Sequence, residues 1–350
     1  MSNSFLHIIE QCDNFTLPNF HSELVLFCFS GDLRSLASPI GLLWPEVVQA
    51  LQADNVAAHT EGREPSWVFI SSSSKSDAAG KEYISHVHFA SHLTDRNSRS
   101  AALAATCTRW RDIGLFTEEI GGRNWRNELY PIYASPFCEL TPRNVMCTIE
   151  RAAAPLFVCV TYSANMTVFQ RTKEGETMVW VPIRAKTKQT WPGMMDNSVA
   201  GGIAADMSPV EVIVKESMEE ANLAEDVVHK HARTAGAISY FFQKGKWLQP
   251  EVEYVFDLEI PSTAAASELE RFRPLPLDGE VEKFEFLSLN EIIPRLHQRL
   301  FKPNCALVLV DFMIRYGYIT PENEPNYLEI VTRLHGRFDY PLWARVKTSV

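Results

Sequence analysis

The sequence predicts an α+β fold in two parts. Short β-branched and aromatic runs recur along the chain, one helix in the second part carries a complete start signal, and the C-terminus reads as helical. With 350 residues, about two domains are expected. The expected division gives residues 1–146 to a small α+β module and residues 147–350 to a larger unit built on a mixed sheet.

In the first part, ELVLFCF and SWVFIS predict strands, and SAALAATCTRWRDIG predicts a helix. The stretch SSSSKSDAAGKEY, rich in serine and charge, predicts an exposed loop. His86 and His88 alternate in ISHVHFA, which puts both on one face of a strand. With no third ligand near them in sequence, they read as ordinary strand-face histidines. In the second part, PLFVCVTYS, MVWVPIRA, GAISYFF, VEYVFDLEI and KFEFLSL predict strands.

The helix after AGGIAADM opens with Ser208, Pro209 and Glu211, an N-cap followed by proline in the first turn and glutamate at the capping-box position. Val210, Ile213, Val214, Met218 and Ala221 form its apolar stripe, so the glutamates Glu216, Glu219 and Glu220 are expected on the opposite face. Asn222, which tolerates the left-handed conformation, marks the stop. Three carboxylates at the negative end of a helix dipole call for a compensating positive charge, and the candidate is a metal ion.

Composition limits the partners. A net charge of -10 argues against a nucleic-acid backbone or an anionic membrane as the main partner. The seven cysteines are scattered, without CxxC pairs, and read as reduced and mostly buried. The N-terminus lacks a basic region ahead of an apolar run, and no segment is long and apolar enough to span a bilayer. A cytoplasmic location is the expectation; the sequence leaves the oligomeric state open.

The segment DNSVAGGIAADMSPVEVIVKESMEEANL resembles the Nudix box, G-x5-E-x7-R-E-U-x-E-E-x-G-U with U apolar. Gly201 takes the first position, Glu216 the central glutamate, and Glu219 with Glu220 the acidic pair. Met207, Lys215, Ser217 and Asn222 depart from the pattern. Beyond the box, IRAKTKQTWPGMMDNSVAGG, GAISYFF, EVEYVFDLEIP, LPLDGEVEKFEFLSLNEI and FKPNCALVLVDFMIRYGYI resemble the Nudix branch associated with thiamine pyrophosphokinase. WRDIGLFTEEIGGRNWRNELYPIYA is similar to the end of that branch's N-terminal domain. Ser163 and Asn165 stand where the branch usually shows glycine and histidine.

This resemblance implies an α/β/α Nudix sandwich and hydrolysis of thiamine diphosphate, or its oxidised analogues, to the monophosphate and phosphate. It implies Mg2+, with Mn2+ as an alternative, held by Glu216, Glu219, Glu220 and the carbonyl of Gly201. Glu219 and Glu280 are the catalytic candidates, Glu280 in LDGEVEKF being the preferred general base. Arg184, Lys186 and Lys188 alternate before the box and would reach a diphosphate from one side of a strand. Trp180, Trp191, Tyr240 and Phe241 are candidates for stacking on the organic group, and Trp125, Arg126 and Glu128 are expected near the seam with the N-terminal part. The competing readings are a prenyl, terpenoid or nucleoside diphosphate substrate, and a non-catalytic diphosphate-binding protein.

Overall fold

The computed structural model describes residues 4–15, 24–29, 39–76, 82–135, 139–263 and 265–336. The N-terminal part holds a four-stranded sheet of β1 (Val25–Cys28), β2 (Pro39–Leu43), β3 (Trp67–Ser76) and β4 (Glu82–Phe89), in the order β2-β1-β4-β3. β1 and β4 run parallel, whereas β3 and β4 form an antiparallel pair. Part of the stretch read as a loop is therefore strand through Ser76, with Ser76 opposite Glu82; residues 77–81 lie outside the described residues. Helices Pro45–Thr60 and Arg96–Asp112 complete this part, the second capped by Asp95, whose carboxylate accepts from the Asn97 and Ser98 amides.

A two-stranded sheet of β5 (Leu129–Tyr133) and β6 (Val145–Glu150) follows. A division at residue 146 would cut β6, and the N-terminal core continues through Leu156, Phe157 and Cys159. PLFVCVTYS is accordingly split. Its first residues belong to a short helix, Ala154–Phe157, which Val158 closes in the left-handed conformation at φ 47, and the strand begins only at Thr161.

The large sheet contains β7 (Thr161–Arg171), β8 (Thr177–Arg184), β10 (Ala232–Lys244), β11 (Trp247–Ile260) and β12 (Val281–Ser288), in the order β10-β11-β7-β8-β12; β9 (Val199–Gly202) pairs with β7 off that path. β7 runs parallel to β11 and antiparallel to β8 and β9, so the sheet is mixed. Alternate β7 residues enter different cores. Tyr162, Ala164, Met166 and Val168 pack with Val212, Ile213, Val227 and Val228 of helices Pro209–Ala221 and Glu225–His231. Phe169 packs with Ile292, Leu307, Phe312 and Ile330 of helices Leu289–His297, Pro303–Arg315 and Tyr327–Leu334. The period-2 alternation of a strand thus gives a helix layer on each face, and each fully buried Leu, Ile or Phe contributes roughly 1.5–3 kcal/mol. The fold is α+β with mixed sheets.

Six cysteines are free and buried; Cys138 lies outside the described residues. No helix among the described residues is long and apolar enough to cross a membrane. His86 and His88 share a face, their rings 6.0 Å apart.

Candidate active site

The helix Pro209–Ala221 starts and stops where its sequence directs. Ser208 Oγ accepts from the Glu211 amide at 3.3 Å, and the Glu211 carboxylate accepts from the Ser208 amide at 2.7 Å. Asn222 closes the helix at φ 54. The apolar stripe is different from the expected one. Val212, Ile213, Ser217 and Ala221 are buried, while Val210 and Met218 are each 45% exposed.

This rotation turns Glu216 and Glu220, one helical turn apart, inward along the edge of the buried face, and leaves Glu219 to solvent. The expectation that all three glutamates face away from the core fails for Glu216 and Glu220. Glu219 pairs with Lys215 at 3.2 Å, outside the group of carboxylates that converge. Lys215 also lies 3.1 Å from Glu216, and Met207, which stands where the box has an acid, packs against the apolar core.

The converging carboxylates are Glu220, Asp278 and Glu280, whose oxygens can all lie within 4.8 Å of one another. Asp278 follows from the turn before β12: its Oδ1 accepts from the Glu280 amide at 2.9 Å, which fixes this turn. Burial first, then the charges of Asp196, Glu216 and Glu280, push the Glu220 carboxyl up to about 9. Burial also works against ionisation of Glu280, but the bond and charge of Lys188, the bond from Glu220 and the charge of Arg184 together outweigh it, and Glu280 is held below the ordinary carboxylate range. One acid of the pair holds the proton and the other the charge, which is how like charges in one place resolve without a cation. Oxygen donors in this arrangement fit a hard divalent ion.

Gly201 is required by close approach. A Cβ there would collide with the Glu216 side chain, 2.8 Å from its Oε1, so the glycine lets that carboxylate lie against β9. At the next residue, a Cβ on Gly202 would fall on the Tyr130 phenol, 2.8 Å from its Cζ. Ser163 and Asn165 lie on β7 opposite Gly202 and Ala200, and the Asn165 amide donates to Ser163 Oγ at 3.1 Å.

The basic cluster is dispersed. β8 ends at Arg184, and Lys186 lies in an exposed turn, so the three cations do not alternate along a strand. Arg184 pairs with buried Asp196 and donates to the carbonyls of Trp191 at 3.0 Å and Thr190 at 2.9 Å; it braces the loop instead of offering a free guanidinium. Lys188 pairs with Glu280.

A cleft of about 1160 Å³ is lined by Tyr130, which lies against Gly202, and by Thr190 and Trp191, whose carbonyls hold Arg184; none of Glu216, Glu220, Asp278 and Glu280 is among its lining residues. Its lining combines Phe242 and Trp247 with Arg126, Arg151, Glu251 and Lys302. Of the stacking candidates, Trp191 and Tyr240 line the cleft, whereas Trp180 stacks on Phe286 at 4.5 Å and Phe241 is buried against Phe15. Trp125 stands under the Arg111 guanidinium at 4.4 Å. The Glu251 carboxylate is fixed by Tyr240, Gln249 and, at 3.3 Å, Thr161 Oγ1. Lys302, Glu251 and Tyr130 are distant in sequence and carry no motif, so only the packing reveals that they share this cleft.

Residues 40–160 match a family described as a domain of unknown function (DUF4743). The chain is 42% identical over 243 residues to an uncharacterized protein of Saccharomyces cerevisiae, covering 66% of this chain and 67% of that protein. It is 35% identical over 213 residues to Nudix hydrolase 20, chloroplastic, of Arabidopsis thaliana, with 61% of this chain and 53% of that protein covered. It is 33% identical over 210 residues to Nudix hydrolase 24, chloroplastic, of the same plant, at 60% and 53%. The chain thus spans about half the length of these plant relatives. A solved Deinococcus radiodurans structure is similar at a TM-score of 0.35 and 19% identity over 52% of this chain and 97% of that one. Over about 60% of its length, the chain is thus similar to two plant Nudix hydrolases.

Proposed function

We propose that the chain is a metal-dependent hydrolase of small organic diphosphates, acting first on thiamine diphosphate or its oxidised analogues to give the monophosphate and phosphate. The observation that carries this reading is the convergence of Glu220, Asp278 and Glu280, with Glu216 held against Gly201; a cleft large enough for such a substrate is lined by Tyr130, which lies against the adjoining Gly202. Glu216, Glu220, Asp278 and the Gly201 carbonyl are the groups that would hold Mg2+ or Mn2+. When bound, such an ion neutralises diphosphate charge and lowers the pKa of water.

The chain's own residues account for the rest. Glu280, kept ionised by Lys188, is the carboxylate available to take a proton from the attacking water. Glu219, turned to solvent, is a weaker candidate for that role. In the cleft, Trp191, Phe242 and Trp247 offer flat faces, and Glu251 offers a fixed carboxylate to a cationic heterocycle. A prenyl chain in the same place would bury Glu251 against hydrocarbon, which opposes that alternative.

The test is phosphate release with Mg2+ from a panel of thiamine diphosphate, its oxidised analogues, prenyl diphosphates and nucleoside diphosphates, comparing wild type with Glu220→Gln. We expect release from a thiamine-type member, lowered at least about a hundredfold in the variant. Release from a prenyl diphosphate alone would overturn the substrate. No release from any member by folded, Mg2+-supplied protein would overturn the hydrolase reading in favour of a binding protein.

A further inference from the structure

The cations nearest the box in sequence are engaged, Arg184 by Asp196 and Lys188 by Glu280, yet a diphosphate needs positive charge. Among the described residues, five other cations line the cleft: Arg126, Arg151, Lys244, Lys246 and Lys302. Lys244 lies over the Trp191 ring at 5.8 Å, and Lys246 pairs with Glu46 at 2.6 Å. Arg126 is half-buried, and its guanidinium has no acceptor or ion pair among the described residues; only its backbone amide is bonded, to Glu150 Oε1 at 2.9 Å. Burial and the adjacent Arg151 charge both lower its pKa. Arg151 is satisfied, 2.7 Å from Glu128 and 5.2 Å from the centre of the Tyr130 ring. Lys302 has no carboxylate at ion-pair distance among the described residues, and the fields of Cys305, Asp196 and Glu253 keep it charged despite burial.

Two neighbouring arginines with one left unpaired and half-buried make an arrangement that an anion relieves. A chain of contacts links these cations to the carboxylates. Arg151 stacks on Tyr130, the Tyr130 phenol lies at Gly202, and the neighbouring Gly201 bears on Glu216. A guanidinium, planar and with forked donors, suits phosphate oxygens, while Lys302 adds a compact charge.

We propose that Arg126 and Lys302, rather than Arg184 and Lys186, bind the phosphates of the substrate, so that the N-terminal part of the chain supplies an essential piece of the site. This rests on the diphosphate reading above. It assigns a reason for the association of the two parts: the large sheet and its acidic helix provide the carboxylates, and the segment before β5 provides an unpaired guanidinium beside Lys302.

Calorimetric titration with inorganic pyrophosphate in the presence of Mg2+ tests this apart from turnover. Arg126→Ala is expected to weaken binding at least about tenfold, the usual scale for losing a charge-assisted bond, and to raise KM by a similar factor with a smaller change in kcat. Arg126→Lys should recover part of the affinity, Lys302→Met should weaken it, and Lys173→Ala, on an exposed turn, should leave it unchanged. Thermal unfolding shows which variants are folded; if Lys302→Met is not, the Arg126 pair decides. Binding that depends on Arg126 without hydrolysis of any diphosphate upholds this inference and overturns the hydrolase. Mg2+-dependent release that is lost in Glu220→Gln, with wild-type pyrophosphate affinity and KM in Arg126→Ala, overturns this inference alone. Loss of pyrophosphate binding in Lys186→Ala with none in Arg126→Ala also overturns it.

Discussion

Glu220 concentrates the electrostatic problem of the site in one residue. Burial, and then Asp196, Glu216 and Glu280, raise its carboxyl from the ordinary 4.5 to about 9. The sign of the consequence follows from proton counting. Between those two values the folded protein holds a proton that the unfolded chain has released, so the metal-free fold loses stability as pH rises. A divalent cation replaces that proton and should reverse the trend. We therefore expect metal-free wild type to lose stability relative to Glu220→Gln as pH rises from about 6 to 9, by at most about 1.4 kcal/mol per pH unit. Added Mg2+ should stabilise wild type more at the upper end of this range than at the lower. Denaturant midpoints across pH check both; parallel curves for the two proteins would mean that Glu220 is ionised without metal.

At the scale of the element, the helix Pro209–Ala221 shows what a sequence can and cannot disclose. Its ends were legible because they depend on local chemistry: the Ser208 and Glu211 cap, and the left-handed Asn222. Asn222 occupies φ 54, where a β-branched side chain is strained. Asn222→Val should cost about 1–2 kcal/mol, while Asn222→Gly should be neutral or slightly stabilising, as measured by urea unfolding. The face of the helix was less legible. Apolarity pointed to Val210 and Met218, but the surroundings bury Ser217 instead, with its Oγ lacking a partner among the described residues, and draw Glu216 and Glu220 inward. β9, only Val-Ala-Gly-Gly, has no strand pattern of its own and owes its conformation to pairing with β7. Periodicity records composition along one element, whereas burial is decided by what the neighbouring elements leave uncovered.

In the whole molecule, the N-terminal part meets the large sheet through side chains of both. Arg96 bonds Asp206 through two nitrogens at 2.7 and 2.8 Å, Lys246 lies 2.6 Å from Glu46, and Trp247 donates to Glu119. The first two ion pairs are partly exposed and contribute little, about 0–1 kcal/mol each. The steric fit of Tyr130 on Gly202 is more demanding, because the phenol occupies the space of a missing Cβ and Tyr130 itself is buried. Gly202→Ala should destabilise the protein by about 1–3 kcal/mol through overpacking. Tyr130→Phe removes the oxygen that collides but leaves ring carbons near the new methyl, so it should relieve part of that cost. The double variant should then be more stable than the sum of the single changes predicts, by at least about 0.5 kcal/mol in a double-mutant cycle. Strict additivity would show that Tyr130 moves away freely and that the two parts meet without mutual constraint at this point. A coupling of the expected sign would locate a shared structural constraint one residue from Gly201, where a displacement of β9 is felt directly by the Glu216 carboxylate.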